Sequence, residues 1–155
     1  MNSRERITAR KQLDKRLGTL LDTQALVRPP RGWVKAIREA LGMTTAQLGK
    51  RLGVSQPRIV VLEKAEASGA ITLESLRRAA DALDCQFVYA VVPRTSLKEM
   101  TEVRAVALAK RKLERTSHTM ALEAQSVDKD DEREQVMAMT QRLIEKSGSE
   151  LWEEG

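Results

Sequence analysis

A mostly α fold is predicted by three features of the chain. Aromatic residues make up only 3% of its 155 positions while aliphatic ones are frequent, a mixture that suits helices with aliphatic cores better than a β-sandwich. Apolar residues recur at spacings of three and four through most of the chain, the period of a helix with one buried face. Capping hydroxyls and terminating glycines and prolines fall between those stretches. The length accommodates one small domain with helical extensions, or two subdomains sharing a core.

Residues 4–27 place Ile7, Leu13, Leu17, Leu20, Leu21 and Leu26 on one stripe, with Arg and Lys on the other side. This pattern predicts an amphipathic N-terminal helix. The stretch VRPPRG ends it, through Pro29, Pro30 and Gly32. The expected division is residues 1–28 as the N-terminal helix, 29–94 as a domain of short helices with a strand, and 95–155 as a helical extension.

In the middle region the expected first helix face is Trp33, Ile37, Ala40 and Leu41, ended by Gly42. Thr44 and Gln47 have the spacing of a capping box, so a two-turn helix should start near Thr45 and run through Leu48 to Leu52. Gly53 supplies a left-handed residue, Val54 plugs the core, and Ser55 N-caps a third helix carrying Ile59 and Leu62. Pro57 is tolerated because the first helical turn has no amide acceptors to satisfy. A fourth helix opens after Thr72 and is expected to bury Leu73, Leu76, Ala80 and Leu83.

Two short helices joined by a glycine turn, the second opening on polar residues, make a helix-turn-helix. In that arrangement the second helix presents its N-terminal side chains to the major groove of double-stranded DNA. Gln56 and Arg58 are the expected readers, since an amide pairs bidentately with adenine and a guanidinium with guanine. Val61, one turn on, is placed either to touch a thymine methyl or to pack inward. Gln47, Lys50 and Arg51 suit phosphates, with ordinary solvated surface as the alternative for the two cations. Ser55 and Pro57, at the same helix start, complete the expected DNA-binding set.

The segment TTAQLGKRLGVSQPRIVVLEKAE resembles the Xre/Cro-like helix-turn-helix family. Gln47, Leu48, Leu52, Gly53, Val54, Ser55, Gln56, Ile59 and Glu63 match the family pattern position by position. Ala65 departs from it where a glycine commonly follows the glutamate, and Gly69 comes later. Pro57 and Arg58 are less usual, which leaves the base preference open.

The run CQFVYAVVP, closed by Pro93, reads as a strand. A lone strand needs an edge, and no other segment offers one. A homodimer is therefore expected, which would suit a palindromic site; an isolated extended segment packed on the helices is the alternative. From Ser96 to Arg115, Leu97, Met100, Val103, Val106 and Leu113 form another helical stripe. Residues 128–147 do the same through Val136, Met139, Leu143 and Ile144, after an acidic first turn that favours the helix dipole. Gly148 stops that helix, and Leu151 and Trp152 are expected to dock on the body or on a partner.

Charge is divided along the chain. Residues 1–115 carry a net +11 and residues 116–155 a net −6, within an overall +5. The basic part suits a polyanion such as DNA, and the acidic tail suits a basic protein partner or serves solubility. No stretch approaches the roughly 18 apolar residues of a membrane span, and the charged start has no leader-like core, so a soluble cytoplasmic protein is expected. The lone Cys85 forms no internal disulfide and offers no metal site. One histidine, His118, and one cysteine, neither beside a motif, do not make a catalytic set. Neither enzymatic activity nor a cofactor is expected.

Within HTMALEAQ, Thr119 and Glu123 are four apart and share a helix face between apolar flanks. The pair resembles the inhibitory helix of Fic-domain regulation, a Ser or Thr, three residues, Glu, then Gly or Asn; here Ala124 takes the last place. Thr95 with Glu99 and Ser149 with Glu153 share the spacing. The basic N-terminal helix, the Xre-like segment, the strand and RTSHTMALEAQSVD, in this order, are similar to the mobile mystery protein A family, found beside the Fic-domain mobile mystery protein B. That resemblance implies an antitoxin that represses its operon and restrains a Fic nucleotidyltransferase, Glu123 competing for the arginine that would hold the γ-phosphate of ATP. The alternatives are a stand-alone repressor of a mobile element with a dimerisation tail, or neutralisation of an unrelated toxin without active-site mimicry.

Overall fold

The computed structural model describes residues 2–20, 22–120, 128–146 and 148–153. The chain forms two compact units, Met1–Asp22 with Val92–Gly155, and Thr23–Val91.

In the first unit, α1 spans Ser3–Leu17, α6 Leu97–Met120 and α7 Lys129–Lys146, followed by a 3-10 turn at Ser149–Trp152. Asn2 and Glu5 close a capping box at the start of α1. The helix ends at Leu17 rather than continuing to residue 27. Gly18, with its unfavourable helix propensity of about 1 kcal/mol, begins a 3-10 turn at Gly18–Leu20, and another follows at Gln24–Leu26.

Helix α6 is started by two residues. Ser96 Oγ accepts from Glu99 N–H at 3.1 Å, while Asp14, reaching from α1, accepts from Leu97 N–H at 2.7 Å and Lys98 N–H at 3.1 Å. The helix dipole favours a carboxylate at that end. The buried row on α6 is Thr101, Ala105 and Ala109, whereas Val103, expected on the buried stripe, is 62% exposed. Small side chains allow closer helix approach, and Ala105 and Ala109 pack with Leu143 and Leu151, with Leu108, Val136, Met139 and Ile144 around them. The expected face of α7 is therefore the one used. Leu151 docks into that core, while Trp152 stays half exposed under the Arg104 guanidinium, 5.5 Å from its ring centre.

The second unit holds α2 (Trp33–Ala40), α3 (Thr45–Leu52), α4 (Gln56–Ser68) and α5 (Leu73–Ala82). Val34, Leu48, Ile59, Ala79 and Leu83 form its core, with Ile37, Leu52, Val54, Leu62 and Leu76 against them. The buried face of α2 is turned from the expected one. Trp33, Ala40 and Leu41 are exposed and Val34 and Arg38 are buried, because the interior takes the Arg38 side chain. Leu73 is likewise exposed, and Ala79 is the buried residue of α5.

No strand forms among the described residues. Cys85–Val92 carries no ladder, since a strand exists only when its amides meet a second edge. Phe87 and Tyr89 still stack, centroids 5.9 Å apart, as alternate residues of an extended chain do. Val88, Tyr89 and Val91 are solvent-exposed. No helix among the described residues is long and apolar enough to cross a membrane.

Candidate nucleic-acid interface

The local sequence sets the angle between α3 and α4. Thr44 Oγ1 accepts from Gln47 N–H at 3.1 Å and Gln47 Oε1 accepts from Thr44 N–H at 2.8 Å, so the capping box is complete. Gly53 ends α3 at φ +72°, a conformation that penalises any Cβ. Gly49 is buried against the turn, where a Cβ would lie 2.8 Å from the Val54 carbonyl oxygen and 3.5 Å from Ile59 Cγ1. The two helices approach this closely because position 49 has no side chain.

Beneath α4 lies a buried ion pair. Arg38 Nε donates to Glu63 Oε1 at 2.6 Å and Nη2 to Oε2 at 3.2 Å, while Nη1 donates to the Met43 carbonyl at 2.8 Å. The two residues are 7% and 5% exposed. The hydrogen bond to Glu63 raises the Arg38 pKa above its ordinary value, against the opposing effect of burial.

One turn on, Glu66 is 1% exposed and caps α2, accepting from Trp33 N–H at 2.7 Å and Val34 N–H at 3.0 Å. Gly32 makes room for it: at φ +88°, a Cβ there would stand 2.7 Å from Glu66 Oε2. At the end of α4, Arg28 donates to the Glu66 and Ala67 carbonyls, as cations at helix C-termini do. The helix thus rests on α2 through two carboxylates and on residue 28 through two carbonyls.

On this support the expected contact residues all face solvent. Gln47, Lys50, Arg51, Ser55, Gln56, Pro57, Arg58 and Val61 are exposed. Val61, at 57% exposure, belongs to the surface rather than the core. Ser55 holds the N-cap position of α4, yet its side chain makes no capping bond. Gln56, Arg58 and Val61 stand on the first two turns of α4, the place from which a recognition helix reaches base edges. Gln47, Lys50 and Arg51 line a shallow depression with Leu41, Gly42 and Met43. Arg51 also donates to the Ala82 carbonyl at 3.1 Å, so it closes the end of α5 as well.

The geometry and the comparison with known families agree. Residues 34–89 match the helix-turn-helix family. Neither the curated proteins nor the solved structures gave a significant match. The matched region lies within the second unit and contains the eight surface residues together with Arg38, Glu63 and Glu66.

Of the other expected pair, Thr119 lies in α6 and Glu123 lies outside the described residues. The residues that sequence reasoning missed are structural. Arg28, Gly32, Arg38 and Glu66 show their roles only when helices distant in sequence are packed; Glu66, a carboxylate on an otherwise part-apolar turn, was the one available signal.

Proposed function

We propose that the chain is a sequence-specific DNA-binding regulator that reads operator bases through Gln56 and Arg58 and holds phosphates through Gln47, Lys50 and Arg51. The observation that carries this reading is the exposure of Gln56, Arg58 and Val61 on the first two turns of α4, above a buried ion pair that fixes the helix. The test is anisotropy titration of a labelled duplex from the region upstream of its gene against an unrelated duplex. Gln56→Ala with Arg58→Ala should abolish the preference between them while retaining nonspecific affinity and helicity. Unchanged preference removes both residues from base reading.

The regulator acts as a homodimer. Support comes from Gln86–Val92, whose amides donate to no described backbone group while Val88, Tyr89 and Val91 stand exposed; two copies would satisfy each other as antiparallel strands.

The order of segments along the chain supports a second role, as an antitoxin that represses its own operon and restrains a Fic-type nucleotidyltransferase. Thr119 and Glu123 carry that role, the glutamate occupying the arginine of the ATP site. Nucleotidyl transfer by a Fic protein encoded beside this one, assayed with labelled ATP, should be silenced by the wild type and released by Glu123→Ala at equal binding. Equal silencing by both would move inhibition elsewhere in the interface.

A further inference from the structure

Helix α1 carries six cations, Arg4, Arg6, Arg10, Lys11, Lys15 and Arg16, and two acids, Glu5 and Asp14. Both acids are engaged within the first unit: Glu5 Oε2 accepts from Asn2 N–H at 2.8 Å, and Asp14 caps α6. Arg4, Lys11 and Lys15 are exposed and form no ion pair among the described residues. At 100° per residue the three fall within about 40° of one another around the helix. They make one row of positive charge, with Thr8 between them.

The row contrasts with two lysines on other helices. Lys35 pairs with Glu39 and Lys98 with Glu102, each four residues apart, the spacing that stabilises a helix surface. In α1 the corresponding neighbour of Lys11 is Lys15, a like charge that weakens the helix. A row of unneutralised cations in a chain that also holds a helix-turn-helix unit fits a polyanion with regularly spaced charges.

We infer that the outward row Arg4, Lys11 and Lys15 of α1 is a second DNA-contacting surface, gripping the phosphate backbone without reading sequence. The inference rests on the DNA-binding reading above. From Arg4 to Lys15 the row runs about 16 Å, roughly five base-pair steps of duplex, so three phosphates are within its compass. Contacts of this kind add affinity and salt dependence equally to any sequence.

The experiment compares the full-length wild type with Arg4→Gln/Lys11→Gln/Lys15→Gln, after circular dichroism has verified equal helicity. Binding to the operator duplex and to an unrelated duplex is titrated from 50 to 300 mM salt. Each lost phosphate contact should flatten the plot of log affinity against log salt by about 0.9, so the triple variant should lose about 2.7. Affinity at 0.1 M salt should fall on the order of a hundredfold for both duplexes, with their ratio preserved. A control, Lys98→Gln/Arg133→Gln, removes two exposed cations that have acidic partners and should leave the slope unchanged.

An unchanged slope in the triple variant overturns the inference, as does a loss confined to the operator. A triple variant that keeps its DNA slope but no longer binds phosphatidylserine vesicles would assign the row to lipid instead. The two readings fail differently: a wild type that binds both duplexes equally refutes sequence reading while the slope still judges α1, and a wild type that binds neither refutes both.

Discussion

Replacing Arg38 by Met retains much of its length and removes the guanidinium from the interior of the helix-turn-helix unit. Three hydrogen bonds disappear, two to Glu63 and one to the Met43 carbonyl. Glu63, 5% exposed, is left as an unpaired buried carboxylate. Breaking a buried pair from one side costs about 3–5 kcal/mol, against a stability of roughly 3–10 kcal/mol for a unit of this size. Glu63→Leu alone should cost a similar amount by stranding Arg38. In Arg38→Met/Glu63→Leu the charge penalty vanishes and the main deficit is the Met43 carbonyl without its donor, about 1–3 kcal/mol. The double variant should therefore be more stable than either single one, with a coupling of 3 kcal/mol or more by order of magnitude.

The two tryptophans allow a clean assay, because Trp33 lies in the second unit and Trp152 in the first. In a Trp152→Phe background, urea titration followed by fluorescence reports the unfolding of the helix-turn-helix unit alone. Additive losses, with the double variant as unstable as the sum of the singles, would refute the argument that these two side chains hold each other.

Three further outcomes are expected. Gly49→Ala places a methyl 2.8 Å from the Val54 carbonyl oxygen; it should lower the same urea transition by about 1–3 kcal/mol and weaken DNA binding as α4 tilts, and an unaffected protein would show that the helices can part freely. Asp14→Ala removes the carboxylate cap of α6 and should cost about 1–2 kcal/mol, seen through Trp152 in a Trp33→Phe background. Glu66→Gln turns one oxygen that accepts an α2 amide into a donor facing it, and should destabilise the second unit by about 2 kcal/mol, measured by thermal denaturation.

The sequence is legible where the physics is local. The Thr44 and Gln47 capping box, the left-handed Gly53 and the packing face of α7 all depend on residues within a turn or two of each other. Legibility ends where a distant residue decides. The face of α2 turns because Arg38 finds Glu63, 25 positions away, and apolar periodicity alone assigns no arginine to a core. On α6, the rule that large apolar side chains mark the buried stripe selected Val103, while the close approach of helices selected Ala105 and Ala109. The strand expected at Cys85–Val92 is a different case: it forms no ladder among the described residues, and pairing depends on a second edge that composition does not supply. All eight expected DNA-contacting residues reach the surface because a helix-turn-helix fixes its exposed positions by the same short spacings that define it.

The separation between Arg38, Glu63 and Glu66 below and Gln56, Arg58 and Val61 above has a bearing on how such a protein diverges. Substitutions at solvent-facing positions away from caps and buried pairs generally change stability by no more than about 0.5 kcal/mol. On the proposed DNA-reading role, selection can therefore exchange the side chains at 56, 58 and 61 for a new set of base preferences without reopening the problem of folding. Copies of the gene carried to new neighbourhoods would, on that role, retarget their binding sites by drift on the first two turns of this helix, while the charged interior stays the same.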